Sequence, residues 1–277
     1  MSDYQLRFAG IGRLYGAVAL EAFAKAHVCV VGIGGVGSWV AEALARSGIG
    51  TLTLIDLDDV CISNTNRQIH ALKSTVGQDK VAVMAARIRD INPDCVVHQV
   101  EDFVAADNLF TLMRPKFSYV VDCIDSIKAK TSLIAHCKRN KIPLVTIGGA
   151  GGQLDPTQVQ LTDLSQTIND PLLAKVRNNL RRDYNYSRTP KRKFGIDAVY
   201  STEQLRYPKP DGTVCQAKQA TDGSMRLDCS GGFGAVTVVT GTFAFVAAGR
   251  VLKKLAERAD LAERTQQQAD TPPAASL

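Results

Sequence analysis

The chain lacks paired cysteines, although seven cysteines occur among its 277 residues. They are scattered over positions 29, 61, 95, 123, 137, 215 and 229, and no two of them form a CxxC motif. Structural zinc sites commonly draw their ligands from such pairs, so a structural zinc site is not expected. Scattered, unpaired thiols are typical of a reducing compartment.

Features of an exported protein are also lacking. The first residues do not follow the basic, apolar and small-residue layout of a signal peptide. Together with the unpaired cysteines, this absence predicts a cytoplasmic location. The net charge is only +6, which permits contact with an anionic partner but does not identify one.

Long apolar runs are lacking except at residues 230–249, SGGFGAVTVVTGTFAFVAAG, which contain no charged residue. This run is about long enough to span a bilayer, and Arg250, Lys253 and Lys254 follow it. Its glycines and threonines add little apolar surface, however. The composition favours a helix buried in the core or in a dimer interface, with membrane association through this segment as the alternative.

What the first 150 residues do contain is a regular alternation of strands and helices. Apolar runs typical of buried parallel strands are separated by segments with helical periodicity. This order predicts an α/β fold with a Rossmann-like, mostly parallel sheet and helices on both faces. The predicted strands are 27–34, 51–56, 95–100, 117–125 and 143–149, and the predicted helices are 16–25, 35–48, 78–91, 107–113 and 126–141.

The alternation stops after Gly152. Residues 157–164 alternate like an antiparallel strand, and 198–204 form a further predicted strand. Residues 208–215 have the composition of a turn, and a final helix is predicted over 233–257. We therefore expect antiparallel strands to extend the sheet in the C-terminal half.

Four glycines, Gly32, Gly34, Gly35 and Gly37, lie between the first strand of this series and the following helix. Glycine allows a tight turn and lets the backbone approach a phosphate, and the first N–H groups of a helix attract anions. Asp56 ends the next strand, where a carboxylate can accept hydrogen bonds from a ribose. The order predicts a nucleotide site, although glycines can also serve helix–strand packing alone.

A polar cluster follows Asp56, within the segment LIDLDDVCISNTNRQ. A dinucleotide-binding dehydrogenase would explain Gly32 to Asp56 but not this cluster. Donors beside an anion-binding turn suit a triphosphate, and a carboxylate near phosphates commonly holds magnesium. Each residue alone is also compatible with an ordinary solvated surface. The cluster and the later residues expected at the same sheet edge are Asp58, Asn64, Arg67, Gln68, Lys80 and Asp125.

The spacing of these motifs, GxGGxGS, LIDxDxVxxSNxNRQ, VGxxKV and DCxD, resembles the ubiquitin-activating-enzyme-like adenylating superfamily. Its members use ATP and Mg²⁺ to convert a carboxylate into an acyl-adenylate, and the resemblance implies a homodimer. RFAGIGRLYG, residues 7–16, resembles the N-terminal segment that supplies an arginine to the partner subunit, and Arg13 is the candidate.

The resemblance also implies roles for the polar residues. Gly34 and Gly35 approach the phosphates and Asp56 binds the ribose. Asn64, Arg67 and Lys80 stabilise the triphosphate, while Asp125 positions the metal ion. The implied catalytic residues are Arg13, Arg67, Lys80 and Asp125; the implied nucleotide-binding residues are Gly32, Gly34, Gly35, Gly37, Asp56, Asp58, Asn64, Arg67, Gln68, Lys80 and Asp125.

Residues 146–172, 207–215 and 227–246 further resemble one branch of that superfamily, the tRNA threonylcarbamoyladenosine dehydratases. The implied reaction is adenylation of the threonyl carboxylate of a modified adenosine in tRNA, followed by ring closure to an oxazolone with loss of water. The first alternative is adenylation of the Gly-Gly terminus of a ubiquitin-like sulfur carrier. The second is a non-catalytic nucleotide sensor or membrane-tethered adaptor. A sulfur-transfer partner such as a cysteine desulfurase is also compatible with the resemblance.

A basic segment, residues 175–193, matches a tRNA substrate, because cations neutralise phosphates and an aromatic ring can stack on an unpaired base. The alternative is a solvated charged loop. The candidate contacts are Lys175, Arg177, Arg181, Arg182, Tyr184, Tyr186, Arg188, Lys191, Arg192 and Lys193. Cys215 and Cys229 are the candidates for a reactive thiol, but ring closure needs no covalent carrier and no catalytic cysteine is assigned.

These interpretations predict one adenylating domain over residues 1–257. Residues 1–152 form its ATP-binding half, and residues 153–257 form a half for substrate binding and dimerisation. The remaining residues, 258–277, are polar and contain two prolines, and they predict a disordered tail.

Overall fold

The computed structural model describes residues 2–189, 191–209, 211–216 and 233–269, and the structural statements made of the chain concern these residues. The candidate thiol Cys229, the first three residues of the apolar run and residues 270–277 of the predicted tail lie outside the described residues.

Seven strands form one sheet in the order β3-β2-β1-β4-β5-β7-β6. Six of them run parallel, and β6 pairs with β7 in the antiparallel sense at one edge. The predicted fold class is therefore confirmed, including the antiparallel extension. The strands are β1 (His27–Val31), β2 (Thr51–Ile55), β3 (Val96–Val100), β4 (Tyr119–Asp122), β5 (Leu144–Ile147), β6 (Val159–Asp163) and β7 (Asp197–Ser201).

Helices cover both faces of the sheet. On one face, Phe23, Leu44, Met84 and Phe243 belong to a single buried cluster. On the other face, Leu109, Leu133 and Leu173 belong to a second cluster. Because both faces are covered, the central strands are buried along almost their whole length. The helices are α1 (Asp3–Tyr15), α2 (Ala17–Lys25), α3 (Gly37–Arg46), α4 (Lys80–Ile91), α5 (Leu109–Leu112), α6 (Ile127–Arg139), α7 (Pro171–Asp183) and α8 (Thr237–Ala269).

The strand order places a topological switch point between β1 and β4. The chain proceeds from β1 outward to β2 and β3, and then returns to β4 on the other side of β1. Ligands of open α/β sheets bind at such a point, outside the carboxyl ends of the strands. The glycine turn follows β1 there, and Asp125 follows β4.

Two helices, α1 and α7, were missed by the sequence patterns. Ser2 and Gln5 form a capping box at the start of α1. Helix α7 begins with Pro171 after the N-cap Asp170, whose side chain accepts a hydrogen bond from the backbone N–H of Leu173. Half of the basic segment is therefore helical, and the interpretation of that half as a charged loop is wrong.

Helix α8 extends further than predicted, because it ends at Ala269 rather than at residue 257. Residues 258–269 of the predicted disordered tail are therefore helical. This stretch is rich in good helix formers, and its first prolines, Pro272 and Pro273, come only later. The predicted turn at 208–215 also has paired ends, since β8 (Tyr207–Pro208) and β9 (Val214–Cys215) form a short antiparallel pair.

Residues 237–249 of the apolar run form the first part of α8, and α8 packs against α2 and α3. Val239, Phe243 and Ala247 are completely buried there. Among the described residues, no helix has the length and apolarity needed to cross a membrane. The buried-helix interpretation is confirmed for the described part of the run, and membrane association through it is not supported.

Candidate active site

The glycine turn between β1 and α3 leaves no room for side chains at two of its positions. Gly32 has a φ of +88°, which disfavours any residue with a Cβ. A Cβ on Gly37 would lie 1.8 Å from the carbonyl oxygen of Gly32. Gly34 is more open, since its nearest neighbour would be the side-chain nitrogen of Gln68 at 4.0 Å. Two glycines therefore build the turn, and Gly34 leaves space above it.

Gly35 has a different environment, beside Arg67. A Cβ on Gly35 would meet the aliphatic stem of Arg67 at 3.1 Å. The arginine head donates hydrogen bonds to the carbonyl oxygen of Ser63 and to the Asn66 side chain. The glycine thus lets this cation lie directly against the turn at the start of α3, where N–H groups attract anions.

Asp56 joins the end of β2 to the glycine turn. Its carboxylate accepts hydrogen bonds from the backbone N–H groups of Ile33, at 2.6 Å, and Asp58, at 2.9 Å. Burial raises the pKa of Asp56, and the positive charge of Lys80 acts in the opposite direction. The carboxylate therefore fixes the turn and lies at the edge where a ribose is expected.

Lys80 begins α4 and is buried between two carboxylates. Its Nζ lies 2.7 Å from Asp58 Oδ2 and 3.9 Å from Asp56 Oδ1. Only 6% of the Lys80 side chain is exposed, whereas 75% of the Asp58 side chain is exposed. An ammonium held this way cannot rotate freely into solvent, so it presents a fixed positive charge beside the glycine turn.

The segment that contains Asn64, Arg67 and Gln68 is anchored by groups that the sequence patterns missed. Trp39 Nε1 on α3 donates to the carbonyl oxygen of Arg67 at 3.0 Å. Asn66 donates to the carbonyl oxygen of Ala235 at 2.7 Å, just before α8. Asn64 is buried and accepts the backbone N–H of Cys61. The segment of residues 64–68 is thus held by α3 and by a residue just before the start of α8. Sequence patterns missed these anchors because the bonded residues lie far apart in the chain.

Asp125 lies in the turn between β4 and α6, at the same edge of the sheet. Its side chain is exposed, and it makes no hydrogen bond or ion pair with another described residue. Nearby, the sequence patterns missed Asp122 and Lys130, a completely buried ion pair with 2.9 Å between Nζ and Oδ2. A free carboxylate above a buried ion pair is thus available to a cation held mainly by phosphates.

Two buried polar atoms next to the turn have no hydrogen-bond partner in the described part of the chain, Ser38 Oγ and Gln68 Oε1. Ser38 is the second residue of α3, and Gln68 lies opposite Gly34. Buried polar atoms are nearly always partnered in native proteins. Ser38 Oγ can donate to a phosphate oxygen, whereas Gln68 Oε1 can only accept, from a ribose hydroxyl, an amino group or ordered water, so the two atoms fit a nucleotide.

A comparison over the whole chain identifies the family. The model of the ThiF family matches residues 5–274. The chain belongs to the ThiF family. The resemblance on which the sequence interpretation rested is therefore confirmed.

Individual ThiF-family relatives are similar over almost the whole chain. The tRNA threonylcarbamoyladenosine dehydratase of Escherichia coli K12 is 59% identical over 256 residues, which cover 92% of this chain and 96% of that protein. The Haemophilus influenzae enzyme of the same name is 54% identical and covers 93% and 96%. The crystal structure of the E. coli enzyme TcdA in complex with ATP superposes with a TM-score of 0.83 at 55% identity, covering 94% of this chain and 98% of that one.

Not every residue predicted for the site lies beside the glycine turn of its own chain. Arg13 is exposed in the last turn of α1, and no hydrogen bond or ion pair joins it to the residues around the glycine turn in the described structure. Cys215 lies in β9, partly exposed. Burial raises the pKa of Cys137 to about 12, so this thiol stays protonated at neutral pH.

The basic segment divides into residues that face solvent and residues that pack inward. Arg177 is half-buried and donates to Thr167 Oγ1. Tyr186 packs edge-on against Phe194 with ring centroids 4.9 Å apart, and Arg181 lies over the same ring. These three side chains are occupied within the chain, which weakens their candidacy as tRNA contacts. The segment's exposed members are Lys175, Arg182, Tyr184, Arg188, Lys191, Arg192 and Lys193.

Proposed function

We propose that this chain is an ATP-dependent tRNA threonylcarbamoyladenosine dehydratase. The observation that supports it best is the convergence of the glycine turn, Asp56, Arg67 and Lys80 at the switch point of the sheet. The chain that builds this site is 59% identical to an enzyme of that name over 92% of its length. The relative crystallised with ATP has the same fold over 94% of this chain.

ATP binding at the turn follows from the chemistry of the donor set. The phosphates lie above Gly34 and the N–H groups that begin α3, with Arg67 and Lys80 as flanking cations. Asp56 accepts hydrogen bonds from the ribose hydroxyls. Ser38 Oγ and Gln68 Oε1, which lack partners in the described structure, provide two further polar contacts.

The first chemical step is attack of the threonyl carboxylate on the α-phosphorus of ATP, with pyrophosphate as the leaving group. Negative charge grows on the phosphate oxygens during this step. Arg67, Lys80 and the N-terminus of α3 are already in position to stabilise it, and a partly buried site strengthens each interaction. Because Lys80 is fixed by Asp58 at 2.7 Å, little reorganisation is needed.

The second step closes the ring. The carbamoyl oxygen attacks the activated carbonyl carbon, AMP departs with one of the original carboxylate oxygens, and the carbamoyl nitrogen loses a proton. The substrate thus loses the elements of one water. The attacking oxygen belongs to the same nucleoside, so proximity provides most of the advantage and no cysteine nucleophile is required.

Asp125 is the proposed ligand of a magnesium ion. Its carboxylate is exposed, free of other partners in the described structure, and located beside the glycine turn. The described residues contain no cluster of three or more His, Cys, Asp or Glu side chains, which suits an ion bound mainly by phosphates and water. When bound, magnesium supplies charge neutralisation of the phosphates.

A homodimer is part of the proposal, with Arg13 reaching the site of the partner subunit. The support is the position of Arg13, exposed in the last turn of α1 rather than at its own site. A sulfur-transfer partner such as a cysteine desulfurase stays a prediction without a structural feature that favours it.

The tRNA contact is proposed for the exposed members of the basic segment. Arg188, Lys191 and Arg192 face solvent in the connection between α7 and β7. Lys193 also lines a cavity of about 600 Å³ at the amino ends of β4, β5 and β7, together with Arg250, Lys254 and Arg258. Arg250 is ion-paired with Asp197 and Lys254 with Glu257, so the exposed cations of the connection itself are the proposed phosphate contacts.

The decisive experiment is incubation of the purified chain with ATP, Mg²⁺ and tRNA containing threonylcarbamoyladenosine, followed by mass analysis of the nucleosides. We expect loss of one water from that nucleoside and release of AMP and pyrophosphate in equal amounts. Unmodified tRNA is the matched control and should release neither. An unchanged nucleoside would refute the proposal.

The alternative is adenylation of the Gly-Gly terminus of a ubiquitin-like sulfur carrier. It would use the same nucleotide site, but the missing CxxC pairs separate this chain from the zinc-containing type of such enzymes. Pyrophosphate release with a Gly-Gly protein, and none with modified tRNA, would favour it instead.

Replacement of Asp125 tests the magnesium proposal. Asp125→Ala should abolish turnover while ATP binding without Mg²⁺ stays within about threefold of the original affinity, because the carboxylate acts through the metal ion. The release of AMP measures turnover, and calorimetric titration with ATP, with and without Mg²⁺, measures the affinity. Asp107→Ala, another exposed carboxylate, is the control. Full turnover in the Asp125 variant would exclude this ligand.

A further inference from the structure

A completely buried ion pair lies beneath the turn that contains Asp125. Lys130 Nζ is 2.9 Å from Asp122 Oδ2, and both side chains are 0% exposed. The same ammonium lies 3.2 Å from the carbonyl oxygen of Asp122 and 3.2 Å from Thr146 Oγ1. Thr146 donates to Asp122 Oδ2 at 2.7 Å. The three side chains tie together the end of β4, the first turns of α6, and β5.

Stability alone does not explain this pair. Removing two charges from water costs several kcal/mol for each ion, and well-packed apolar residues in their place are often as stable or more stable. The location of the ion pair, directly before the turn that contains Asp125, explains it better. Asp122 Oδ1 accepts the backbone N–H of Ile124 at 3.1 Å, one residue before Asp125. The pair therefore holds the backbone that leads to the proposed magnesium ligand.

The same turn is fitted to the glycine turn. The Cys123 N–H donates to the carbonyl oxygen of Val31 at 2.8 Å. A Cβ on Gly32 would lie only 3.1 Å from the Cys123 carbonyl oxygen. A shift of residues 123–125 would therefore change the separation between the phosphate-binding turn and Asp125.

Lys130 also acts on a second buried carboxylate, that of Asp170. This side chain accepts hydrogen bonds from the N–H groups of Gly149, at 2.9 Å, and Leu173, at 2.8 Å. Burial raises the pKa of Asp170, and the positive charge of Lys130 opposes that shift. A Cβ on Gly148 would lie 1.9 Å from Asp170 Oδ2, so the chain after β5 fits tightly around this carboxylate.

We propose that Lys130 is a positioning residue for adenylation. It holds the Asp122 carboxylate in place through the buried ion pair, and through Asp122 it fixes the turn of residues 123–125 so that Asp125 faces the phosphates at a set distance from the glycine turn. This inference rests on the proposed function, since it assigns Lys130 a part in the use of ATP and Mg²⁺. Lys130 itself, being completely buried, touches neither.

The test replaces the pair in two ways. Lys130→Met leaves Asp122 buried without its cation and risks unfolding. The double variant Asp122→Leu with Lys130→Met removes both charges and keeps apolar packing, so it should fold. For the double variant we expect kcat to fall roughly 10- to 100-fold. The Mg²⁺ concentration for half-maximal ATP binding should rise about tenfold, and ATP affinity without Mg²⁺ should change less than about threefold.

Leu133→Ala is the matched control, because Leu133 is a completely buried residue of the same helix and points into the apolar cluster. It should cost about 2–5 kcal/mol of unfolding free energy without moving the Mg²⁺ dependence. A double variant with the original kcat and Mg²⁺ dependence would overturn the proposal. Failure of the unaltered chain to dehydrate the modified nucleoside would instead refute the proposed function, since calorimetry of ATP and Mg²⁺ does not depend on the tRNA.

Discussion

Gly34 and Gly37 lie in the same turn, but different constraints require glycine at each position. At Gly37 a Cβ would overlap the backbone of Gly32, at 1.8 Å from its carbonyl oxygen. At Gly34 a Cβ would meet nothing closer than Gln68 Nε2, at 4.0 Å. Gly37 is therefore required by the fold, whereas Gly34 is required only if a ligand approaches the turn.

Alanine replacements at the two positions should separate these requirements. Gly37→Ala should cost more than about 3 kcal/mol of unfolding free energy, because backbone must move. Gly34→Ala should unfold within about 0.5 kcal/mol of the original chain but bind ATP at least tenfold more weakly. Urea titration and calorimetry measure the two effects. Gly149→Ala, where a Cβ has open space, is the control. Normal ATP affinity in Gly34→Ala would place the phosphates elsewhere.

His70 is a residue whose charge state affects stability. It is 1% exposed, and neither ring nitrogen has a partner in the described structure. Burial, followed by the positive charges of Lys80 and Arg87, lowers the pKa of His70 from 6.5 to about 4. The unfolded chain therefore binds a proton between these pH values while the folded chain does not, so stability is lost as the pH falls through this window.

His70→Leu should remove this acid sensitivity. Between pH 7 and pH 5 the histidine should cost the original chain about 2 kcal/mol of unfolding free energy, by linkage from its two pKa values. Over the same pH interval, the leucine variant should lose about 2 kcal/mol less unfolding free energy than the original chain, because it has no imidazole ring to protonate. Urea unfolding of both chains at pH 7 and pH 5 provides the comparison. Equal losses in the two chains would show that His70 is protonated or exposed in the folded state.

Sequence could predict the residues around the glycine turn because their chemistry follows from position. An acid at the end of a parallel strand and a glycine before a helix lie at the carboxyl edge of the sheet. Asp122 and Lys130 could not be found in this way, because nothing local distinguishes a buried ion pair from two solvated charges. Arg177 shows the opposite error. It was predicted to contact tRNA because it lies in a basic segment, but its side chain donates a hydrogen bond to Thr167 within the chain.

At the level of elements, α8 combines a buried half with an exposed half. Leu255 and Ala256 are the last core residues of the helix, with 7% and 9% exposure. From residue 260 onward, every described side chain is exposed. The sequence predicted the buried half from its apolar run, but mistook exposed helix for disorder because both are polar. The missed start of α7 had a local indication, since Asp170-Pro171 is a favoured N-cap and first-turn pair.

Truncation of α8 after Asp260 should therefore leave the fold intact. The unfolding free energy should change by less than about 0.5 kcal/mol, because the removed turns bury nothing. Phe243→Ala, in the buried half, should cost about 3–5 kcal/mol. Circular dichroism should show the lost helical residues, and urea titration the stability. A truncation that costs more than about 1 kcal/mol would mean that the outer turns pack on a further surface, such as a second subunit.

At the level of the whole molecule, cations exposed between α7 and β7 lie on the side of the sheet that β6 and β7 close. The nucleotide site lies at the carboxyl ends of β1 and β4. Lys193 lies near the amino ends of the strands, so a tRNA bound at both places must extend from one edge of the sheet to the other. Binding through phosphates implies a strong dependence on salt.

Neutralising four exposed cations of the basic segment, Arg182 at the end of α7 and three in the connection to β7, should weaken tRNA binding without changing the catalytic steps. Arg182, Arg188, Lys191 and Arg192, all replaced by Ser, should raise KM for tRNA and reduce the salt slope by about one for each lost phosphate contact. The kcat and the ATP affinity should stay unchanged. Filter binding across a salt series measures the slope.

The control for that variant removes the same charge elsewhere, with Lys73, Arg89, Arg114 and Lys116 replaced by Ser; all four are exposed. If both quadruple variants bind tRNA alike, the attraction depends on net charge rather than on a defined surface, and the contact proposed for the basic segment is wrong.

The packing of α2 against α8 has a consequence for how the chain is made. Phe23 is completely buried in the cluster that α8 completes, yet Thr237, the first residue of α8, follows it by 214 positions. During vectorial synthesis, the amino-terminal helices emerge from the ribosome long before their apolar face can be covered. Nascent chains that stop short of α8 should therefore be retained by chaperones or degraded, whereas release of the completed chain should coincide with closure of this cluster.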